Sequence, residues 1–230
     1  MKAAVYAGTR NLYPDMVTAA KSLAINSSVD TIWFLIEDSI FPLELPSYVH
    51  CLDVSEQKWF SVPGPNVYKL WTWMVLMRAA IPKIFPEYDR ILSLDVDTIV
   101  NHNIDELWDL DLNGYYLSGV AEPEKSKPNE PYVNMGVAIF HIEKFISDRL
   151  DSKVIASLNK DHYRFAEQDC LNLLCKGKIL PISPTYNSNK YTQVESDPKI
   201  VHFAAEKNWS TKSIVEKYRR IPWSEIRSST

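Results

Sequence analysis

Two short and nearly unbroken apolar runs, Lys2–Ala7 and Thr31–Ile36, constrain this chain most, because they bracket a segment of helical periodicity. A strand with one wet face alternates apolar and polar residues, whereas a strand covered on both faces does not. Thr31-Ile32-Trp33-Phe34-Leu35-Ile36 is of the second kind. Between the two runs Pro14-Asp15 opens a helix that carries Met16, Ala19, Ala20, Leu23 and Ala24 on its apolar positions. Strand, helix and strand in that order imply a parallel sheet with helices on its faces, so the fold class is α/β. The first strand ends at Gly8-Thr9-Arg10-Asn11.

The same reading continues along the chain. Cys51–Val54 is a third short strand, and a helical stretch runs from about Asn66 to Ala80 before Pro82 and Pro86 bring it to an end. Arg90-Ile91-Leu92-Ser93-Leu94 is the next strand and leads directly into Asp95-Val96-Asp97. Further strands are expected at Tyr115–Val120, Val133–Ile142, Ile179–Ile182 and Ile200–Phe203, with helices over Glu143–Asn159, Glu167–Cys175 and Thr211–Arg219. The segment Glu122–Pro131 holds three prolines and alternating charge, as a mobile loop over a site would. Of the 230 residues 46% are apolar and six are glycine, which excludes a linker or a disordered chain. A net charge of -4 with no basic stripe disfavours nucleic acid as the main partner. Cys51, Cys170 and Cys175 form no CxxC pair and read as thiols in a reducing compartment. The apolar run after Met1 stops at Gly8, too early for a signal segment, so a cytoplasmic location is expected.

Asp95-Val96-Asp97 is the most informative local feature. On an extended chain the side chains at i and i+2 share a face, with Cα atoms roughly 6.5–7 Å apart. Two carboxylates so placed repel unless a cation lies between them, and their hard oxygens suit Mg²⁺ or Mn²⁺. Ligands of open α/β sheets sit beyond the carboxyl ends of the strands, where this pair falls. The bland alternative is a strand-ending turn in which both aspartates cap backbone groups. A calcium loop beginning at Asp95 would need an oxygen ligand at Ile99 and glycine at Val100, and has neither. A phosphatase of the haloacid-dehalogenase type would match Asp95-Val96-Asp97-Thr98 with its nucleophile motif. That motif belongs on a first strand and needs a later acidic pair, whereas here a whole strand–helix–strand unit comes first. The remaining reading is a diphosphate-sugar site, in which a metal ion bridges the two phosphates.

Several segments in order resemble glycosyltransferase family 8, the family of glycogenin and bacterial lipopolysaccharide galactosyltransferases. Arg78 to Asp97, with Arg90-Ile91-Leu92-Ser93-Leu94-Asp95-Val96-Asp97 at its centre, resembles the family's central block. Val133-Asn134-Met135-Gly136-Val137 resembles its FNxGV segment, Glu167-Gln168-Asp169-Cys170-Leu171-Asn172 its DQDxLN segment, and His202 with Lys207 and Trp209 its HxxGxxKPW segment. The resemblance implies a single domain over residues 1–230, of the GT-A type. Its Rossmann-like, mixed but mostly parallel sheet is flanked by helices, with a nucleotide-binding half over 1–100 and a donor-sugar and acceptor half over 101–230.

It further implies metal ligation by Asp95, Asp97 and His202, a mixed oxygen and nitrogen set that suits Mn²⁺ better than Mg²⁺. Donor-binding roles fall on Ala7, Thr9 and Asn11 at the end of strand one, on Val96 between the aspartates, and on Asp95 itself. Arg78 would grip phosphate or sugar oxygens, with Lys69 a rival for that role, and Lys207 would meet the diphosphate. Tyr13 is a candidate to stack on the base, one place later than the family's tyrosine. Glu122 stands where the family has an aspartate near the sugar hydroxyls. Gln168, Glu167 and Asn134 fall at the reacting centre. The implied activity is transfer of a hexose from a UDP-sugar to an acceptor hydroxyl with the anomeric configuration retained. The acceptor is a saccharide, glycolipid or protein, recognised over about Pro184–Asp197, where Tyr186 and Tyr191 are candidate platforms. Three departures stand out: Glu167 replaces aspartate, Ala204-Ala205-Glu206 lack the glycine of the last segment, and Asn208 replaces its proline. They leave a non-catalytic nucleotide-sugar-binding module as the second reading. A sugar-nucleotide-forming nucleotidyltransferase would want a glycine-rich loop that Ala7-Gly8-Thr9-Arg10 does not provide.

Overall fold

A computed structural model describes residues 1–67 and 72–226. Four strands build the first part of one sheet: β1 (Ala3–Ala7), β2 (Thr31–Ile36), β3 (Val49–Asp53) and β4 (Arg90–Leu94). Three more complete it: β6 (Leu117–Ala121), β7 (Val133–His141) and β8 (Ile179–Ile182). Their order across the sheet is β3-β2-β1-β4-β7-β6-β8. All pairings are parallel except those of β7, which runs against both β4 and β6. The remaining strands, β5 (Thr98–Val100) and β9 (Ile200–His202), form a separate antiparallel pair.

Helices cover both faces, as the unbroken apolar strands require. Ala4, Tyr6, Ile32 and Phe34 face α1 (Tyr13–Ile25), which starts at Tyr13 with Pro14 in its first turn. Ala3, Val5, Leu35 and Ile91 face the other layer. That layer holds α2 (Trp73–Leu76), a 3₁₀ turn at Met77–Ala80, α3 (Ile81–Ile84), α4 (Ile142–Ser147), α5 (Leu150–Lys160) and α6 (Ala166–Leu174). A last helix, α7 (Ser213–Arg220), lies on α1, tied by Arg219 to Asp15 at 3.0 Å. Among the described residues no helix is long and apolar enough to cross a membrane.

Several expected elements move. Asn66 is in a turn, with its buried amide donating to the carbonyls of Leu158 (2.7 Å) and Asp161 (2.9 Å), and among the described residues helix begins at Trp73. Pro82 does not end the helical stretch; it occupies the first turn of α3, where its missing N–H costs nothing. The helix expected over 143–159 breaks into α4 and α5 at Arg149, whose φ is 54°. There Asp148 turns away to accept from Tyr116 Oη (2.7 Å) and Lys144 Nζ (3.1 Å). Strand β5 was not anticipated.

One irregularity prepares the site. Along β7, Val133 and Met135 face the α2–α6 layer, but so do Ala138 and Phe140, so the alternation changes phase between them. The β6 register jumps at the same place, from Gly119 opposite Ala138 to Val120 opposite Asn134. A bulge of this kind re-aims side chains locally. On the other edge of β7 the ladder stays regular: the Gly136 carbonyl accepts from Asp95 N–H at 2.8 Å, one step past the Leu94–Val137 pair.

Candidate functional site

The sheet topology gathers the chemistry at one edge. β1, β4 and β6 end there, delivering Ala7, Asp95 and Glu122, and the reversed β7 begins there, delivering Asn134. This is the carboxyl edge of the parallel strands, where open α/β sheets bind ligands.

Asp95 and Asp97 do not continue β4 as extended chain. Thr98 donates both its N–H (3.2 Å) and its hydroxyl (2.7 Å) to the Asp95 carbonyl, closing a turn. The turn hands the chain to β5, whose register sets Thr98 opposite His202. Phe203 N–H then donates to the Asp97 carbonyl at 3.0 Å. The imidazole is thereby carried to the two carboxylates: His202 Nε2 lies 3.3 Å from Asp97 Oδ1 and 3.6 Å from Asp95 Oδ2. One ligand atom from each of the three lies within 4.8 Å of the others.

The donor set fits a divalent cation. His202 Nδ1 lies 2.8 Å from Asn187 Oδ1, and its Nε2 faces the two carboxylates. Two carboxylates and a ring nitrogen gathered this closely are stabilised by a positive charge between them. The wider site is also acidic: among the described residues, Asp95, Asp97, Glu122 and Glu167 face Arg78 and Lys125 as lysine or arginine partners.

Arg78 is buried and spans two acids. Its Nη1 donates to Glu167 Oε1 at 2.6 Å, its Nη2 to Asp95 Oδ1, and its Nε approaches Ser93 Oγ at 3.3 Å. Burial pushes the Glu167 carboxyl up to about 7, against the lowering effect of Arg78. Gln168, on the first turn of α6, accepts from Met135 N–H (3.0 Å) and donates to Glu122 Oε1 (3.1 Å) and Tyr132 Oη (3.1 Å). Asn134 also donates to Glu122 Oε1, at 2.7 Å.

Two clefts meet at the aspartates. One, of about 270 Å³, is lined by Ala7, Gly8, Thr9, Leu12, Thr72, Arg78, Val96 and Trp209 among others. The second, of about 370 Å³, is lined by Glu122, Lys125, Asn134, Phe165, Gln168, Tyr191 and His202. Asp95 and Asp97 belong to both. An elongated ligand would therefore cross the triad at its middle.

Most of the residues singled out in the sequence come together here, and some do not. Tyr13 is buried against Phe41, with its hydroxyl donating to Asp38 and accepting from Glu37 N–H, and so offers no face to the cleft. Asn11 accepts from the Thr9 hydroxyl and lies off the cleft wall. Lys207 is exposed and lines neither cleft. Lys69 lies outside the described residues. Tyr191 reaches the second cleft, but Tyr186 turns away to donate to Glu106. Within Glu122–Pro131, Glu122 is buried and Lys125 enters the site, donating to Glu122 Oε2 at 2.7 Å beneath the Phe165 ring. Sequence reading missed Lys125, Phe165, Tyr132 and Asn187, since none carries a motif and each is common in loops.

Gly136 is required by the geometry. A methyl group there would fall within 2.5 Å of His202 Nδ1. Gly136→Ala is expected to displace the imidazole, to cost about 1–3 kcal/mol in a urea melt, and to weaken Mn²⁺ binding by roughly tenfold or more. Unchanged Mn²⁺ affinity by titration calorimetry would contradict the placement of His202.

Comparison with known proteins follows this geometry. The chain spans 37% to 59% of the length of four curated relatives it matches. It is 32% identical over 113 residues to the lipopolysaccharide 1,2-glucosyltransferase of Escherichia coli K12, a match covering 44% of this chain and 33% of that one. The galactosyltransferase LgtC, solved with donor and acceptor sugar analogs, superposes with a TM-score of 0.77 at 17% identity, over 96% of this chain and 97% of its own, and so shares the fold. The apo glycosyltransferase GlyE of Streptococcus pneumoniae TIGR4 gives a TM-score of 0.71 at 26% identity, over 98% of this chain and 61% of its own. The sequence model of Glycosyl transferase family 8 matches residues 5–213. With its mixed seven-stranded sheet and the acidic pair at the sheet's edge, the chain belongs to glycosyltransferase family 8.

Proposed function

We propose that the chain transfers a hexose from a UDP-sugar to an acceptor hydroxyl, with the anomeric configuration retained. The observation that carries this reading is the position of the Asp95–Asp97–His202 triad at the junction of two clefts. The nucleoside would occupy the cleft beside Ala7, Thr9 and Trp209, and the sugar and acceptor the cleft beside Glu122, Asn134 and Tyr191. In this reading residues 1–100 form the nucleotide-binding half and 101–230 the donor-sugar and acceptor half.

Asp95, Asp97 and His202 would hold a divalent ion, Mn²⁺ by the donor set, and the ion would supply positive charge against the diphosphate. Arg78 adds a fixed positive charge beside Asp95, already oriented by Glu167 and Ser93. Glu122 and Asn134 would accept and donate to the sugar hydroxyls. Gln168 is held by three hydrogen bonds and is a poor nucleophile. It would orient the sugar while the acceptor hydroxyl attacks on the face the diphosphate leaves. Glu167 is buried against Arg78 and sets that arginine's position without meeting the sugar.

One observation favours a second reading. With Lys207 exposed and off the clefts, the diphosphate has one fewer cation, as a nucleotide-sugar-binding module without turnover would. The test is release of nucleoside diphosphate from a panel of UDP- and GDP-sugars in Mn²⁺, Mg²⁺ or EDTA, beside direct binding of each donor. Turnover of one UDP-hexose that EDTA abolishes supports the transferase. Metal-dependent binding without turnover, with simple saccharide acceptors present, supports the binding module. Turnover of simple phosphate esters alone would return the phosphatase.

A further inference from the structure

Behind the triad lies a run of buried side chains whose hydrogen bonds point in one direction. Glu122, Asn134, Asn187 and His202 are 2%, 6%, 0% and 5% exposed, so water does not compete for their partners. At the far end Glu122 is a carboxylate engaged by Lys125 Nζ at 2.7 Å, and its Oε1 accepts from Asn134 Nδ2 at 2.7 Å. On the other side of that amide, Gly136 N–H donates to Asn134 Oδ1 at 3.0 Å. A carboxylate that can only accept and a backbone N–H that can only donate leave Asn134 a single orientation.

The orientation propagates. Asn134 Oδ1 also accepts from Asn187 Nδ2 at 3.0 Å, which turns Asn187 Oδ1 toward His202 Nδ1 at 2.8 Å. Asn189 Nδ2 donates to the same oxygen at 2.9 Å, so a flipped Asn187 would set two N–H groups against each other. Asn187 is itself held by its carbonyl, which accepts from the Thr192 hydroxyl at 2.5 Å. Two amide atoms approach Nδ1: Asn189 Nδ2 at 3.4 Å, already donating to Asn187 Oδ1 and to the Asn187 carbonyl, and Asn187 Oδ1 at 2.8 Å. The nearer one is an acceptor and calls for a proton on Nδ1. The neutral ring then carries its lone pair on Nε2, the nitrogen that faces Asp95 and Asp97.

We propose that Asn187 is a positioning residue that locks His202 in its Nδ1–H tautomer and thereby makes Nε2 available to a metal ion, with Glu122 and Asn134 setting the direction of the relay. The inference rests on the reading of the triad as a cation site. Histidine ligands generally donate their other N–H to an oxygen, and loss of that partner costs about 10–100-fold in metal affinity.

The test uses the metal-free protein labelled with ¹⁵N-histidine, with His202 assigned by its loss in His202→Gln, together with calorimetric titration of Mn²⁺ alone. Wild type is expected to show the Nδ1–H form. Asn187→Leu removes the acceptor, and should shift the ring toward mixed tautomers and weaken Mn²⁺ about 10–100-fold. Asn187→Asp keeps an oxygen on Nδ1 and should retain the Nδ1–H form, a rescue that a merely space-filling role would not predict. Should Asn187→Leu fail to fold, loss of the Nδ1–H form in Asn187→Asp would itself overturn the proposal. An Nε2–H ring in wild type would also overturn it, as would an Asn187→Leu protein with wild-type spectrum and Mn²⁺ affinity. Absence of Mn²⁺ binding by wild type would remove the cation reading, while the imidazole spectrum would still decide the role of Asn187.

Discussion

Asp97→Ala is expected to lower Mn²⁺-dependent turnover of the UDP-sugar donor by at least roughly 10³-fold, about 4 kcal/mol of lost transition-state stabilisation. The substitution removes one of three ligands and leaves the fold intact, because Asp97 contributes its backbone carbonyl, not its side chain, to the Phe203 contact. Against the cost of burial, His202 and Arg78 hold the Asp97 carboxyl below the usual carboxylate range. The variant should therefore melt modestly lower than wild type in EDTA. Added Mn²⁺ should raise the melting temperature of wild type and leave that of the variant unmoved, since an ion stabilises only a state that binds it. Donor turnover within tenfold of wild type would sink the assignment, and a variant that does not fold in EDTA would mean that Asp97 is structural.

Arg78→Leu is expected to be the most destabilising single change at the site, by about 3–5 kcal/mol at alkaline pH, because it strands the Glu167 carboxylate in the interior. The pH dependence gives the prediction its sign. Burial holds the Glu167 carboxyl at about 7, against 4.5 for a free glutamate. Between those values the folded protein keeps a proton that the unfolded chain has released. The stability from this group is complete below the lower value and is lost as pH rises through the upper one. Without Arg78 the folded value moves further up and the loss extends to higher pH. Urea melts should find the variant far below wild type at about pH 8 and much closer at about pH 5.5, where a protonated Glu167 needs no cation. Arg78→Leu combined with Glu167→Gln should flatten that dependence. A single variant equally destabilised at both pH values would show that packing, not the stranded charge, is what Arg78 supplies.

The sheet and the acidic pair could be read from the sequence because both are local patterns. Thr31–Ile36 has no polar residue facing out, and Asp95 and Asp97 follow a clean apolar strand. What escaped depends on distant partners. β5 is three residues long, too short for periodicity, and exists because β9 pairs with it. The break at Arg149 needs a left-handed residue that is not glycine, and its reason is Asp148 reaching Tyr116 across the fold. Asn66 reads as helical by composition, yet its amide is taken by two carbonyls near residue 160. Tyr13 drew notice as an aromatic near strand one, but helix geometry aims it inward at Asp38. Asn187 and Lys125 are ordinary loop residues until the fold sets them beside His202 and Glu122. Conversely, His202 found a role through resemblance alone, since an isolated histidine carries no signal of its own.

The pairing of β5 with β9 has a consequence for the time course of synthesis. Both aspartates leave the ribosome early, attached to a sheet edge that can begin to assemble. The imidazole that completes their set arrives only when the strand at Ile200–His202 has emerged and paired with Thr98–Val100. Until then the aspartates have Arg78 as their cation but lack the imidazole, and closing so long a loop is slow. An ion held by Asp95, Asp97 and His202, as proposed, would tie that late strand to the sheet edge. Amide hydrogens of residues 200–203 should then exchange more slowly in Mn²⁺ than in EDTA, while those of β1 and β4 stay unchanged.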